Sequence, residues 1–187
     1  MIKAIAHLQS TSPYSQSAHY CEPMLDKENK DAYERRTWRM RMHRDEEGWV
    51  VIPGIQFEHA LQNAAKRLQL QIPGKGKTQY TKYFDAGILV EKNLRLPIKV
   101  DQVQGVERFV PSDGVSGSGK RVMKVFGEIP SWAGDVEYVI VDHTITADVF
   151  KKVLDSCGLS VGVGRWRPEN KGHYGRFIVT TIKWDAP

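Results

Sequence analysis

The sequence predicts a mixed α+β fold in a single domain that covers residues 1–187. Three observations favour this class. Two segments carry apolar residues at helical spacing, several short segments alternate between apolar and polar residues, and the two kinds of segment are interleaved along the chain. With 187 residues, 41% of them hydrophobic, the chain is long enough to build a core without disulfides or metal ions.

The first half of the chain predicts one strand, a polar excursion and one helix. Alternating apolar residues indicate a strand over 2–9, which the segment STSPYS (10–15) ends. Residues 14–49 are polar and charged, and alternation between 37 and 43 predicts a β-hairpin there. Apolar residues at helical spacing then predict a helix over 55–68.

The second half predicts short strands, a second helix and a last strand. Thr146 is expected to cap the second helix, which Gly158 ends, and residues 176–184 alternate as a strand does. The coarse order is therefore β-α-β-β-α-β with additions, which is the ferredoxin-like or split-βαβ pattern, with a glycine-rich loop before the last strand. The other predicted strands are 86–90, 94–100, 107–110, 122–126 and 136–141.

Composition excludes several classes of protein. Cys21 and Cys157 are the only cysteines and lie far apart, so we expect reduced thiols and a cytoplasmic protein. The chain begins without a signal-peptide pattern, and no apolar run reaches membrane-spanning length, so no membrane partner is expected. The six histidines are scattered without ligand spacing, so neither a metal nor a cofactor is expected.

Two glycine-rich segments fail as nucleotide-binding motifs. In GVSGSGKR (114–121), Gly114 and Lys120 have the spacing of a phosphate loop, but Arg121 stands where Ser or Thr would bind magnesium. The residues after it alternate like a strand, whereas a phosphate loop needs a helix there. Gly162 and Gly164 lack the third glycine of the dinucleotide fingerprint.

Cations interleaved with aromatic residues instead predict a surface for nucleic acid. The net charge is +5, and residues 35–44 (RRTWRMRMHR) contain five arginines. Residues 161–179 (VGVGRWRPENKGHYGRFIV) combine four glycines with four cations, and a turn at 74–78 adds two lysines. Glycines allow close backbone approach, arginines bind phosphates, and aromatic rings stack on unpaired bases. A solvated charged face and a structural hairpin are the alternatives for the two longer segments.

The residues predicted to bind nucleic acid are those whose side chains carry a positive charge or a stacking ring within these segments. They are Arg35, Arg36, Trp38, Arg39, Arg41, Lys75, Lys77, Lys120, Arg121, Arg165, Trp166, Arg167, Lys171, Tyr174 and Arg176. No catalytic residue is predicted.

Two segments also carry a family resemblance. In VVIPGIQFEHALQNAAKRL (50–68), a strand enters Ile-Pro-Gly and continues into an amphipathic helix. In GLSVGVGRWRPENKGHYGRF (158–177), a helix leads into Gly-x-Gly-Arg and the last strand. This resembles the RAMP superfamily and, within it, the backbone subunit of CRISPR effector complexes. The departure is at Ile55-Gln56, where the family usually has serine. The wording of 164–177 is also similar to small uncharacterised proteins of tailed phages, which suggests a phage-encoded relative.

The resemblance implies an RRM-like core with residues 16–49 as a thumb, and copies that stack head-to-tail along single-stranded RNA as a helical homo-oligomer. It implies contacts between the RNA backbone and the arginines of 35–41, with Trp38 or Met40 wedged between bases. The function expected is therefore non-catalytic binding of single-stranded nucleic acid, with RNA preferred to DNA.

Three other functions stay open at this point. A phage-borne copy could inhibit host CRISPR complexes as a subunit mimic, with host or phage CRISPR-type proteins as partners. A phage single-stranded-DNA-binding protein could serve replication or recombination. A RAMP-type endoribonuclease could use His19, His43 or Asp31 of the polar excursion.

Overall fold

The computed structural model describes residues 1–112, 117 and 119–185, and Gly114 of the phosphate-loop-like segment therefore lies outside the described residues. The described part is an α+β structure. Its strands are β1 (Ile2–Ser10), β2 (Tyr14–Ser15), β3 (Trp49–Ile52), β4 (Ile88–Leu89), β5 (Leu94–Lys99), β6 (Gln104–Pro111), β7 (Arg121–Ile129), β8 (Ala133–Ile140) and β9 (Phe177–Asp185). Its α-helices are α1 (Lys30–Thr37), α2 (Gly54–Leu68), α3 (Thr81–Gly87) and α4 (Ala147–Ser156).

A four-stranded antiparallel sheet in the order β4-β8-β1-β9 forms the base of the molecule. β1 lies in its centre, and Ala4, Ala6 and Leu8 on one side of that strand are fully buried, as their alternation predicts. Helices α2 and α4 pack on each other and on the sheet. Phe57 of α2 meets Phe177 of β9 edge to face, which joins this layer to the last strand.

Two smaller antiparallel sheets extend the base. β2, β7 and β6 form a three-stranded sheet, and β3 pairs with β5. The long hairpin of the described chain is β6–β7, where Gln104 pairs with Glu128 and Pro111 with Arg121. None of the described helices is both long and apolar enough to cross a membrane.

The hairpin predicted for 37–43 is wrong, because residues 37–41 are helical. Asn29 caps α1 by accepting a hydrogen bond from the backbone N–H of Ala32 at 2.8 Å, and a 3-10 turn over Trp38–Arg41 continues the helix. The buried residues of this stretch are Glu34, Thr37, Trp38 and Met42, which have helical rather than strand spacing. Trp38 enters the core against Gly105 and Gly127, two glycines whose added Cβ atoms would meet the indole.

Two boundaries also differ from the predictions. Of the strand predicted for 86–90, residues 86–87 are the end of α3, and Ile88–Leu89 pairs with β8. Thr146 caps α4 as predicted, accepting from the Val149 N–H, but Gly158 does not end the helical path, which continues as a π-helical turn over Cys157–Val161. Gly158 is needed there because an added Cβ would overlap the backbone of Phe177.

Candidate nucleic-acid interface

The glycine-rich loop between α4 and β9 is fixed to β2 by its backbone. The Arg165 N–H donates to the Ser15 carbonyl at 2.7 Å, and the Gly175 N–H donates to the Pro13 carbonyl at 2.7 Å. Gly164 has a φ of +77°, and an added Cβ would lie 2.5 Å from the Ser15 carbonyl oxygen and overlap the ring of Tyr14. The loop therefore has little freedom to move away from β2.

Tyr14 connects this loop to the start of α2. Its ring is fully buried, and its hydroxyl lies 3.0 Å from Gln56 Oε1, to which it donates. Burial raises the pKa of Tyr14, so the hydroxyl keeps its proton at physiological pH. The three segments singled out in the sequence, namely 10–15, 50–68 and 158–177, therefore meet around one side chain.

A cleft runs along both sides of the glycine-rich loop. Its first part, of about 290 Å³, lies between the loop and α2 and is lined by Gln56, His59 and Asn63 among others. Its second part, of about 670 Å³, lies between the loop and the β6–β7 hairpin. Ser17 and Arg165 line both parts, so the two parts adjoin at these residues.

Six cations line this feature, which we name the cationic cleft: Arg41, Arg121, Lys124, Arg165, Arg167 and Lys171. No aspartate or glutamate in the described part of the chain lines it. Three of these cations are ion-paired with carboxylates outside the lining, Arg41 and Lys124 with Glu34 and Arg167 with Glu169. The remaining surplus of positive charge along a concave surface attracts polyanions.

Arg165 lies where the two parts of the cleft join. Its guanidinium carbon lies 4.4 Å from the centroid of the Phe126 ring and 5.6 Å from that of Trp166. Among the described residues its buried Nε has no hydrogen-bond partner. Burial, and secondarily the charge of Arg41, lower the pKa of Arg165. An anion in the cleft would oppose this lowering of the Arg165 pKa, because a nearby negative charge favours the charged form of the guanidinium.

Glu34 of α1 holds two of these cations from behind. Its carboxylate is buried and accepts hydrogen bonds from Arg41 and Lys124. Burial alone would raise the pKa of Glu34, but the hydrogen bonds from Arg41 and Lys124 hold it below its ordinary value. Glu34 therefore stays ionised and fixes Arg41 and Lys124 at the floor of the cleft.

The structure brings together part of the predicted binding set. The predicted residues that line the cationic cleft are Arg41, Arg121, Arg165, Trp166, Arg167 and Lys171. Arg167 also pairs at 2.8 Å with Glu169, which is not among the residues that line the cleft. Tyr174 stands beside the cleft, 5.4 Å from Trp166 between ring centroids, and Lys120 is exposed just before β7.

The other predicted residues have different surroundings. Arg35 pairs with Glu107, and Arg36 pairs with both Glu22 and Glu28. Trp38 is only 6% exposed, and Arg39 covers its ring at 4.2 Å, which leaves no open indole face for a base.

The remaining cations of the set lie outside the cleft lining. Lys75 and Lys77 are exposed in the turn after α2. Arg176 donates to the carbonyl of Leu159.

Sequence reasoning missed three residues beside the loop. Lys124 and Phe126 alternate along β7 and so reach the same side of it, which was a usable signal once the strand was recognised. His59 lies one helical turn after Ile55 on α2 and faces the first part of the cleft. Nothing in the sequence indicates that these residues meet the glycine-rich loop, because the contacts are long-range.

The described residues contain no group of three or more His, Cys, Asp or Glu side chains that could hold a metal ion. Cys21 is exposed and Cys157 is buried, and both are free thiols. His19, His43 and Asp31 are not among the residues that line the cationic cleft.

Comparison with known structures gives distant likenesses. No protein-family model matches the sequence, and no curated protein sequence matches it. The crystal structure of Cmr6 from Pyrococcus furiosus is similar at a TM-score of 0.44 and 14% identity, over 96% of this chain and 98% of that chain. A chain of a CRISPR RNA-guided surveillance complex is similar at a TM-score of 0.43 and 10% identity, over 100% of this chain and 71% of that chain.

Proposed function

We propose that this protein binds single-stranded nucleic acid along the cationic cleft, with RNA preferred, and does not cleave it. The observation that carries the proposal is the cleft itself, which six cations line and, in the described chain, no carboxylate. Phosphates repeat at short intervals along a strand, so a row of cations in one groove suits a strand better than a single anion.

The position of Arg165 supports a single strand rather than a duplex. Its guanidinium carbon lies 5.6 Å from the centroid of the half-buried Trp166 ring, so a phosphate-binding group and an aromatic side chain stand together. Unpaired bases are free to stack on such a ring, whereas the bases of a duplex are already stacked on each other.

The fold supports a RAMP-like assignment within this proposal. The sheet order β4-β8-β1-β9, with α2 between β1 and β4 and α4 between β8 and β9, agrees with a ferredoxin-like core. The Ile-Pro-Gly segment and the Gly-x-Gly-Arg loop, on which the family resemblance rests, both border the cleft through Gln56 and Arg165. By the same resemblance we propose head-to-tail self-assembly along the strand, in the cytoplasm.

Charge reversal within the cleft tests the proposal. Arg121→Glu with Lys171→Glu removes two exposed cations, and Lys75→Glu with Lys77→Glu makes the same change in the turn after α2. Binding to labelled single-stranded RNA and DNA of equal length is measured at several salt concentrations. The affinity of the wild-type protein should fall steeply as salt concentration rises. In a plot of log affinity against log salt concentration, the slope for the cleft variant should be shallower by about 0.7 for each phosphate contact that is lost.

The outcomes separate clearly. Weak binding by the cleft variant, with near-wild-type binding by the turn variant, supports the cleft as the site. Equal affinities for the two variants would overturn the assignment of the site, and absence of binding by wild-type protein would overturn the function. The ratio of RNA to DNA affinity tests the preference for RNA. Light scattering with added single-stranded RNA tests self-assembly along the strand. A labelled strand that stays intact after incubation with the protein supports the lack of cleavage.

A further inference from the structure

The first part of the cationic cleft has two chemically different walls. The residues of α2 that line it are Gln56, His59, Ala60 and Asn63. They recur at a spacing of three to four positions, so they occupy one face of the helix. The other wall is the glycine-rich loop, from which Arg165 and Arg167 supply positive charge. One wall therefore offers side-chain amides and the other offers guanidinium groups.

Ala60 leaves a gap between the two amides of α2. It lies four residues after Gln56 and three residues before Asn63, and it is only 4% exposed. A helix rises 1.5 Å per residue, so Gln56 and Asn63 are about 10 Å apart along its axis, with a single methyl group between them. This part of the cleft has a volume of about 290 Å³, close to the lower end for pockets that bind small molecules. A flat polar group can therefore lie over Ala60 with an amide on either side.

Both amides keep unused hydrogen-bonding capacity. The Tyr14 hydroxyl lies 3.0 Å from Gln56 Oε1, which holds one end of this amide and leaves the other end without a partner in the described chain. Asn63 makes no side-chain hydrogen bond to the described residues. Gln16 lines the same part of the cleft but has no such capacity to spare, since Tyr14 occupies one end of its amide and the His43 carbonyl the other.

We propose that the first part of the cleft takes one unpaired nucleobase of the bound strand, adenine in preference, and that Gln56 and Asn63 read its polar edge. This proposal rests on the proposed function. An amide presents a donor and an acceptor side by side, which complements the edge of a base and is the usual partner of adenine. A phosphate offers only acceptors, so it is better served by Arg165 and Arg167. One nucleotide can thus place its base against α2 and its phosphate against the loop.

The experiment measures the affinity of the protein for oligo(A), oligo(C) and oligo(U) RNA of equal length at several salt concentrations. Wild-type protein should bind oligo(A) about tenfold more tightly than the other two strands, within the range expected when an amide reads a base. Asn63→Leu keeps the approximate shape of the side chain and removes its hydrogen-bonding groups, so it should bring the three affinities together. The salt dependence should stay as in wild type, because no cation is removed.

Gln62→Leu is the matched control. Gln62 is the neighbouring amide of α2 and is half-buried like Asn63, but it does not line the cleft and donates to the Asp85 carbonyl at 3.2 Å. This variant should keep the preference for oligo(A).

The outcomes distinguish the base pocket from the proposed function. Equal wild-type affinities for the three strands, with a steep salt dependence, overturn the base pocket while the proposed function stands. A preference for oligo(A) that survives Asn63→Leu, or a preference for oligo(C) or oligo(U), overturns the reading of adenine by these amides. If wild-type protein binds none of the strands, the proposed function itself has failed.

Discussion

The Arg165 guanidinium stacks on the ring of Phe126, with 4.4 Å between the guanidinium carbon and the ring centroid. This contact joins the loop after α4 to β7. Arg41, from the other basic segment of the sequence, lines the same cleft and contributes to the lowered pKa of Arg165, although burial is the larger cause. Two basic segments that are distant in the chain therefore each contribute an arginine to the lining of one cleft.

Replacing Arg165 with lysine should weaken binding of single-stranded RNA about tenfold. Lysine keeps the charge, but it has no planar group to stack on Phe126 and it donates from a single point. Arg167→Lys is the control, because the Arg167 guanidinium is already paired with Glu169 at 2.8 Å and should matter less. Titration of labelled RNA measures both affinities. Equal losses in the two variants would contradict a special role for the stacked guanidinium.

Trp38→Ala should cost about 3–5 kcal/mol of the free energy of unfolding, because the indole is 6% exposed and packs on Gly105 and Gly127. Denaturant unfolding measures the loss. Trp49→Ala is the comparison, since Trp49 is only half-buried and lies at the surface beside Arg95 and should cost less. If Trp38→Ala instead kept its stability and lost affinity for RNA, the tryptophan would be a base wedge after all.

The local patterns of this chain predicted its regular elements well. β1, α2 and α4 follow directly from the spacing of their apolar residues, as the burial of Ala4 and Ala6 illustrates. The segment around Trp38 failed because its alternation is visible in the sequence, while the pocket between Gly105 and Gly127 that buries the indole is not.

Charge was harder to predict than secondary structure. Five arginines between 35 and 44 suggested one binding face. In the structure Arg35 forms a salt bridge with Glu107, and Arg36 forms salt bridges with Glu22 and Glu28. Only the folded chain shows which cations have carboxylates beside them, because these partners come from other segments. The same holds for Lys124, which reaches the cleft from a strand whose pattern indicates only a strand.

Gly164→Ala should destabilise the protein more than Gly74→Ala does. The two glycines have nearly the same φ, +77° and +75°, so the backbone strain of adding a side chain is matched. An added Cβ at Gly74 meets nothing within 4 Å, whereas at Gly164 it would lie 2.5 Å from the Ser15 carbonyl and overlap Tyr14. The excess cost should be about 1–3 kcal/mol, as for other overpacked sites. Thermal unfolding of both variants measures it, and equal shifts would mean that the loop lifts freely from β2.

Glu28, in the polar excursion before β3, should make the free energy of unfolding depend on pH in the acid range. Hydrogen bonds from the Arg36 side chain, and then from the Leu25 N–H, lower the pKa of Glu28 from 4.5 to about 2. Because the folded-state pKa lies below the unfolded one, the stabilisation is fully present above pH 4.5 and is lost as the pH falls to about 2. Glu28→Gln should therefore be less stable than wild type at neutral pH, and the difference should vanish near pH 2.

The measurement is the urea midpoint of both proteins between pH 7 and pH 2, with Glu46→Gln as the control. Glu46 is exposed, and the structure shows it no salt bridge within the described chain. That variant should follow wild type at every pH. A constant difference between Glu28→Gln and wild type across the whole range would mean that the side chain acts through packing or geometry, because only an ionised carboxylate can lose its contribution on protonation.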